Sequence, residues 1–175
     1  MLAPLAMGAI ETAKYNLVPI YARRIQLSDD VAAGLITASG LGVLLLQPAV
    51  GWLADKIGAR AGLMLCALAG VALPLAIAAV GAAPLGALGL MFLYSGLVTG
   101  LYTIGLIWLA RRFSGEELAG GNAAYAMSYG VGQLIGPSVA GPAFSLGGPI
   151  GFMIALSALS GLYLIVLVSA RRQMA

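Results

Sequence analysis

The sequence has no histidine, a single cysteine and very few charges, with Asp, Glu, Lys and Arg together making up 9% of 175 residues. Each shortage excludes something. Without histidine there is no imidazole-centred metal site and no histidine proton relay. A lone Cys66 forbids an intramolecular disulfide and leaves the redox compartment open. A soluble domain carries roughly 25% charged residues, so a chain this poor in charge lacks the groups to cover itself with a water-compatible surface. No nucleophile–base constellation, metal cluster or phosphate-cradling loop is visible, so the sequence is not read as an enzyme, and no catalytic residue, metal or cofactor is expected.

What is present is apolar. Hydrophobic residues are 61% of the chain, and the mean hydropathy is +1.01. In a bilayer the backbone must satisfy its own hydrogen bonds, which leaves helix bundles or closed barrels. The apolar runs are long and do not alternate, which rules out the barrel. A span needs about 20 residues, so the chain divides into about six helices with short connections. Their expected positions are roughly 3–22, 30–54, 61–81, 85–112, 117–143 and 148–170. Residues 1–175 form a single membrane domain with no soluble appendage in this reading.

The breaks have physical signals. Ser28 is placed to cap the second helix. Pro84 is placed to open the fourth. Ser114 and Glu117 have capping-box spacing before the fifth. Gly58 marks the second polar loop, and Leu146-Gly147-Gly148-Pro149 is an uncharged final turn. The first residues, Met1-Leu2-Ala3-Pro4, lack the basic region of a signal peptide, so the first apolar run is expected to be kept as a helix.

The formal net charge of +3 does not point to nucleic acid, because the cations sit in short clusters between apolar runs. Lys56, Arg60, Arg111, Arg112, Arg171 and Arg172 fall on one side, and only Arg23 and Arg24 on the other. The positive-inside rule then places both termini in the cytoplasm. A faint internal repeat relates Ala22-Arg23-Arg24 and Ser28-Asp29-Asp30 to Ala110-Arg111-Arg112 and Ser114, Glu116-Glu117. The offset is about half the chain, so the copies face opposite sides of the membrane, as inverted three-helix repeats do. Convergent capping chemistry would produce the same likeness.

Gly51-Trp52-Leu53-Ala54-Asp55-Lys56-Ile57-Gly58-Ala59-Arg60-Ala61-Gly62-Leu63 resembles the loop signature of the major facilitator superfamily, G-x-L-a-D-r-x-G-r-k-x-x-l. It lies between the second and third helices, where that signature belongs. Ala59 departs from the pattern and removes one cation. The resemblance implies that Asp55, Lys56 and Arg60 form a conformational latch, with Asp55 approaching the fifth helix of an opposing half. Gly132-Gln133-Leu134-Ile135-Gly136-Pro137-Ser138-Val139-Ala140-Gly141 is similar to the superfamily's fifth-helix element, with Ala140 replacing a glycine. Gly132, Gly136 and Gly141 permit close helix packing and Pro137 bends the helix. The first helix, from Gly8 to Tyr21, and the stretch from Leu109 to Pro137 resemble the C-terminal half of bacterial YcaD-like facilitators. The fourth helix lacks the intramembrane Arg common in N-terminal halves.

Glu11 and Lys14 are the charges deep inside an expected span. A charge at that depth costs roughly 2.5–3.5 kcal/mol on insertion scales, so neither is expected to face lipid. Their spacing puts them on one helical face, with Tyr15 four residues from Glu11. They are either a solute- or proton-binding group or a mutually neutralising pair that fixes packing. Polar residues concentrate on the first, fourth and fifth helices. Together with Glu11, Lys14 and Tyr15, the residues Tyr102, Asn122, Tyr125 and Gln133 are the candidates for contact with substrate or coupling ion. The third and sixth helices read as lipid-facing.

The resemblance implies one six-helix half of a facilitator, a 3+3 inverted repeat, in a secondary active transporter of a small solute. Six helices supply one wall, so the expected assembly in the bacterial inner membrane is a homodimer with a second copy of the chain, meeting through second and fifth helices and rocking by alternating access. The expected partners are membrane lipids, that second copy and the solute, with no nucleic acid. One half of a split or heterodimeric transporter, or a non-transporting assembly or regulatory module, are the alternatives.

Overall fold

The structure is a computed structural model and describes residues 2–169; Arg171 and Arg172, which entered the orientation argument, lie outside the described residues. The described residues are all-helical: α1 Leu2–Arg24, α2 Asp29–Ile57, α3 Ala59–Val80, α4 Pro84–Val98, α5 Gly100–Arg112 and α6 Gly115–Ser169. Asp29–Ile57, Ala59–Val80, Pro84–Arg112 and Gly115–Ser169 are long and apolar enough to cross a membrane. α1 is less apolar, because Glu11 and Lys14 sit midway along it.

Local chemistry explains the boundaries. The Val31 amide donates to Ser28 Oγ at 3.4 Å, capping α2, and Asp29 and Asp30 complement the positive end of the helix dipole. Gly58, at φ 88, is the whole connection between α2 and α3, a backbone region open to glycine and strained for residues with a Cβ. Pro84 opens α4 at the first turn. Thr99 keeps αR geometry (φ −61, ψ −20), so α4 and α5 run on as one rod with a local irregularity.

The last uncharged turn, expected as a loop between two helices, is narrower than the sequence suggests. Only Gly148 leaves helical geometry inside α6 (φ 59, ψ −149), and Pro149 opens the second limb. The limbs 115–147 and 149–169 fold back on each other there. A Cβ on Gly151 would lie 2.2 Å from the Ala143 carbonyl oxygen, and the Phe144 and Phe152 ring centroids are 6.0 Å apart. In a straight helix these positions would be separated by about two turns.

Glycines set how closely the helices approach. α1 lies against the 115–147 limb so tightly that a Cβ on Gly132 would stand 2.1 Å from the Leu5 oxygen, on Gly136 2.1 Å from the Ala9 oxygen, and on Gly8 2.2 Å from the Tyr129 oxygen. α2 and α4 meet the same way: a Cβ on Gly42 would stand 2.0 Å from the Phe92 oxygen, and on Gly96 2.5 Å from the Gly42 oxygen. Gly132 and Gly136 therefore pack inside their own chain. α1 therefore occupies the side on which both glycines could admit another helix. Gly141 has open space where its Cβ would be. α3 packs on the 149–169 limb, where Ser157 donates to the Val71 oxygen at 2.9 Å. Leu65, Leu68 and Leu75 of α3, and Ile150, Ile154, Leu162 and Ile165 of that limb, are exposed and apolar, as lipid-facing surfaces are.

Candidate functional site

The polar side chains converge where α1, α4–α5 and the 115–147 limb meet. Glu11, half-buried midway along α1, accepts a hydrogen bond from the Tyr129 hydroxyl of α6. Gly8, one turn earlier on α1, makes this possible by letting α1 ride directly on the Tyr129 backbone. Gln133, one turn beyond Tyr129, brings its side chain to the same hydroxyl. The Tyr102 ring meets Tyr129 edge-on at 5.3 Å and Tyr125 at 5.1 Å. The buried Tyr125 donates its hydroxyl proton to the Tyr102 carbonyl at 2.7 Å, locking α5 to α6.

Lys14 goes elsewhere. Its side chain is 2% exposed, its ammonium donates to Ser95 Oγ of α4 at 3.0 Å, and it lies 4.2 Å from the Tyr15 ring centroid. Arg23–Asp29 and Arg111–Asp55 are the ion pairs among the described residues, so Glu11 and Lys14 do not form a direct pair. The spacing that put them on one helical face holds, but each has its own partner on a different helix. A second polar cluster joins α2 to the α4–α5 rod: Gln47 Nε2 donates to the Gly96 oxygen at 2.8 Å, and Thr103 Oγ1 donates to Gln47 Oε1 at 2.5 Å.

Of the sequence candidates, Glu11, Tyr102, Tyr125 and Gln133 are brought together around Tyr129. Tyr15 stacks on Lys14. Asn122 stays exposed near the start of α6, outside the cluster. Two partners were not singled out from sequence: Tyr129, one polar residue among several in its helix, and Ser95, which sits in the apolar run of α4. The signal for Ser95 was indirect, since a buried ammonium needs an acceptor.

A cavity of about 480 Å³ lies away from these groups, between α2, α3 and the α4–α5 rod. Its walls include Val50, Leu53, Leu65, Leu97 and Ile104, with Cys66 as its most polar member, so it has nothing to orient a polar solute.

At the end of the bundle holding the α2–α3 connection, Asp55 pairs with Arg111 of α5 at 2.9 Å, both side chains more than half exposed. Lys56 lies over the Trp52 ring at 3.9 Å, and Arg60 donates to the Leu167 carbonyl at 3.3 Å. The three candidate latch residues thus engage three different elements of their own chain: α5, α2 and α6. Asp55 already has an internal partner, where the sequence suggested an approach to another half.

The family profile of the Major Facilitator Superfamily matches residues 2–173. The chain belongs to the major facilitator superfamily. It is 31% identical over 134 residues to an uncharacterised MFS-type transporter, YfkF, of Bacillus subtilis (strain 168). That match covers 77% of this chain and 34% of the relative, so this facilitator chain spans about a third of the relative's length. No solved structure matches it. Membership makes it an integral membrane protein.

Proposed function

We propose that this facilitator chain forms one six-helix half of a secondary active transporter that moves a small solute by rocking alternating access. The observation that carries the reading is Glu11, a carboxylate halfway along a membrane helix, half-buried, tied to Tyr129 and without a direct ion pair to the lysine three residues away. An acid with a purely structural role would be expected to take the nearby cation as its partner. The 3+3 inverted repeat is supported by a recurrent contact. Gly8 meets the Tyr129 oxygen, and Gly96, 88 positions after Gly8, meets the oxygen of Gly42, 87 positions before Tyr129. The offset agrees with that of the Ala22-Arg23-Arg24 and Ala110-Arg111-Arg112 repeat.

In this reading the second wall comes from a second copy, packed across the outer sides of α2 and the 115–147 limb. Leu44, Leu45, Met127, Val131 and Leu134 are exposed there, and with Gly132 and Gly136 committed to α1 these larger residues would make the contact. The likeness to C-terminal halves of YcaD-like members and the cytoplasmic position of both termini belong to the same proposal. Because the chain spans 34% of its relative, a heterologous second half is the alternative partner; a non-transporting membrane module is the reading left if no solute moves.

The test is reconstitution. In proteoliposomes, Glu11→Gln should abolish accumulation driven by a pH gradient while counterflow exchange of labelled solute survives. The amide keeps the shape and an acceptor for Tyr129 and removes only the ionisable group. Normal gradient-driven accumulation by Glu11→Gln would refute the coupling role.

A further inference from the structure

We infer that the solute recognised on this face is an organic cation, an amine or quaternary ammonium with an apolar body, and not an anion; this rests on the reading of the face as a transporter wall. The deciding geometry is the unequal exposure of Glu11 and Lys14. They have opposite charges and adjoining turns of one helix, but only Glu11 is presented on the polar face. Lys14 is 2% exposed, and its ammonium is turned into the protein toward Ser95 Oγ at 3.0 Å. A solute reaching this face meets the carboxylate and not the ammonium.

The neighbours of Glu11 suit the same ligand. Tyr102 and Tyr129, both half-buried, stand edge-to-face at 5.3 Å, and Tyr129 holds the carboxylate. Aromatic rings carry negative electrostatic faces, and rings beside an acid are the recurrent recognition chemistry for ammonium groups. The Tyr129 hydroxyl is already committed to Glu11 Oε2, and that of Tyr125 to the Tyr102 carbonyl. Tyr129 therefore offers ring surface more than a hydroxyl proton, which an anionic solute would need, while the buried Tyr125 holds Tyr102 in place. Gln133 is exposed beside Tyr129 and supplies an amide oxygen as a further acceptor. No arginine lies in this cluster; those described are at residues 23, 24, 60, 111 and 112, near helix ends. An anion would have no cation to pair with unless Lys14 left its burial site.

The probes are benzyltrimethylammonium and 3-phenylpropanoate, similar in size and opposite in charge, titrated against the purified full chain by calorimetry. The cation should bind saturably and the anion should not. Glu11→Gln should weaken cation binding about tenfold or more, Tyr129→Leu by a similar factor, and Tyr129→Phe, which keeps the ring, by much less. Preferential binding of phenylpropanoate, unchanged cation affinity in Glu11→Gln, or no saturable cation binding by the unsubstituted chain would each overturn the inference. The comparison of the two probes on the unsubstituted chain stands even if a variant fails to fold. Uptake into proteoliposomes separates the two levels. Cation binding without uptake of any solute would remove the transport reading and leave the cation site standing. Uptake of another solute with no cation binding would do the reverse.

Discussion

Two seams hold this bundle together, and they differ in an instructive way. α1 meets the 115–147 limb through Gly8, Gly132 and Gly136, and α2 meets α4 through Gly42 and Gly96. In both, a missing Cβ lets one backbone rest on the carbonyls of the other, the packing available to helices in lipid, where apolar burial alone does not drive association. The side chains beside the seams are unlike. Beside α2–α4 there are neutral amides and hydroxyls, Gln47 and Thr103, closed on each other and on the Gly96 carbonyl. Beside α1–α6 there is an ionisable carboxylate held by a tyrosine. A repeated backbone device thus stands once beside a closed neutral pair and once beside a carboxylate. Function is to be sought where the two seams stop resembling each other.

The comparison can be broken first at the backbone. Gly136→Leu and Gly96→Leu should each cost about 3 kcal/mol or more by overpacking, while Gly141→Leu, whose Cβ meets open space, should be nearly silent in thermal unfolding. If Gly136→Leu unfolds the protein and Gly96→Leu does not, the seams are not equivalent. Next comes the buried ammonium. Ser95→Ala strips Lys14 of its acceptor and should cost about 1–3 kcal/mol. Lys14→Met should be close to neutral or stabilising, since replacing a buried charge by an apolar group of similar size often is. The double variant should then recover most of the Ser95→Ala loss; simple additivity would show that the Lys14–Ser95 contact carries no energy.

The smallest effect on stability belongs to Asp55→Asn. Exposed ion pairs are worth about 0.2–1 kcal/mol, so its unfolding temperature should hardly move, and the difference should shrink as salt is raised. If the pair with Arg111 is a latch, the change should appear instead in which side of the protein a thiol reagent reaches. Unaltered accessibility and transport would leave Asp55 as an ordinary surface charge.

Much of the architecture was legible from sequence because it follows from local rules. Ser28, Gly58 and Pro84 mark helix ends whatever surrounds them, and the lipid-facing character of α3 follows from its lack of polar residues. The misses have a common cause, which is that they depend on direction. Small residues spaced along the fifth span suit a lipid, a partner chain or the chain's own first helix equally well, and only the fold assigns Gly132 and Gly136 to α1. Glu11 and Lys14 stand three residues apart, but that Lys14 turns to Ser95 and Glu11 to Tyr129 depends on which helices flank α1. Gly148 was expected within a loop; that one residue suffices for the reversal depends on how its neighbours, Ala143 and Gly151, pack.

That reversal has a mechanical consequence. A loop of several residues acts as a slack tether and lets two rods tilt independently. A joint of one residue, with Gly151 seated on the Ala143 carbonyl, transmits torque. The limb carrying Tyr129 and the limb carrying Ser157 therefore keep a set angle to each other, and Ser157 ties the second limb to Val71 of α3.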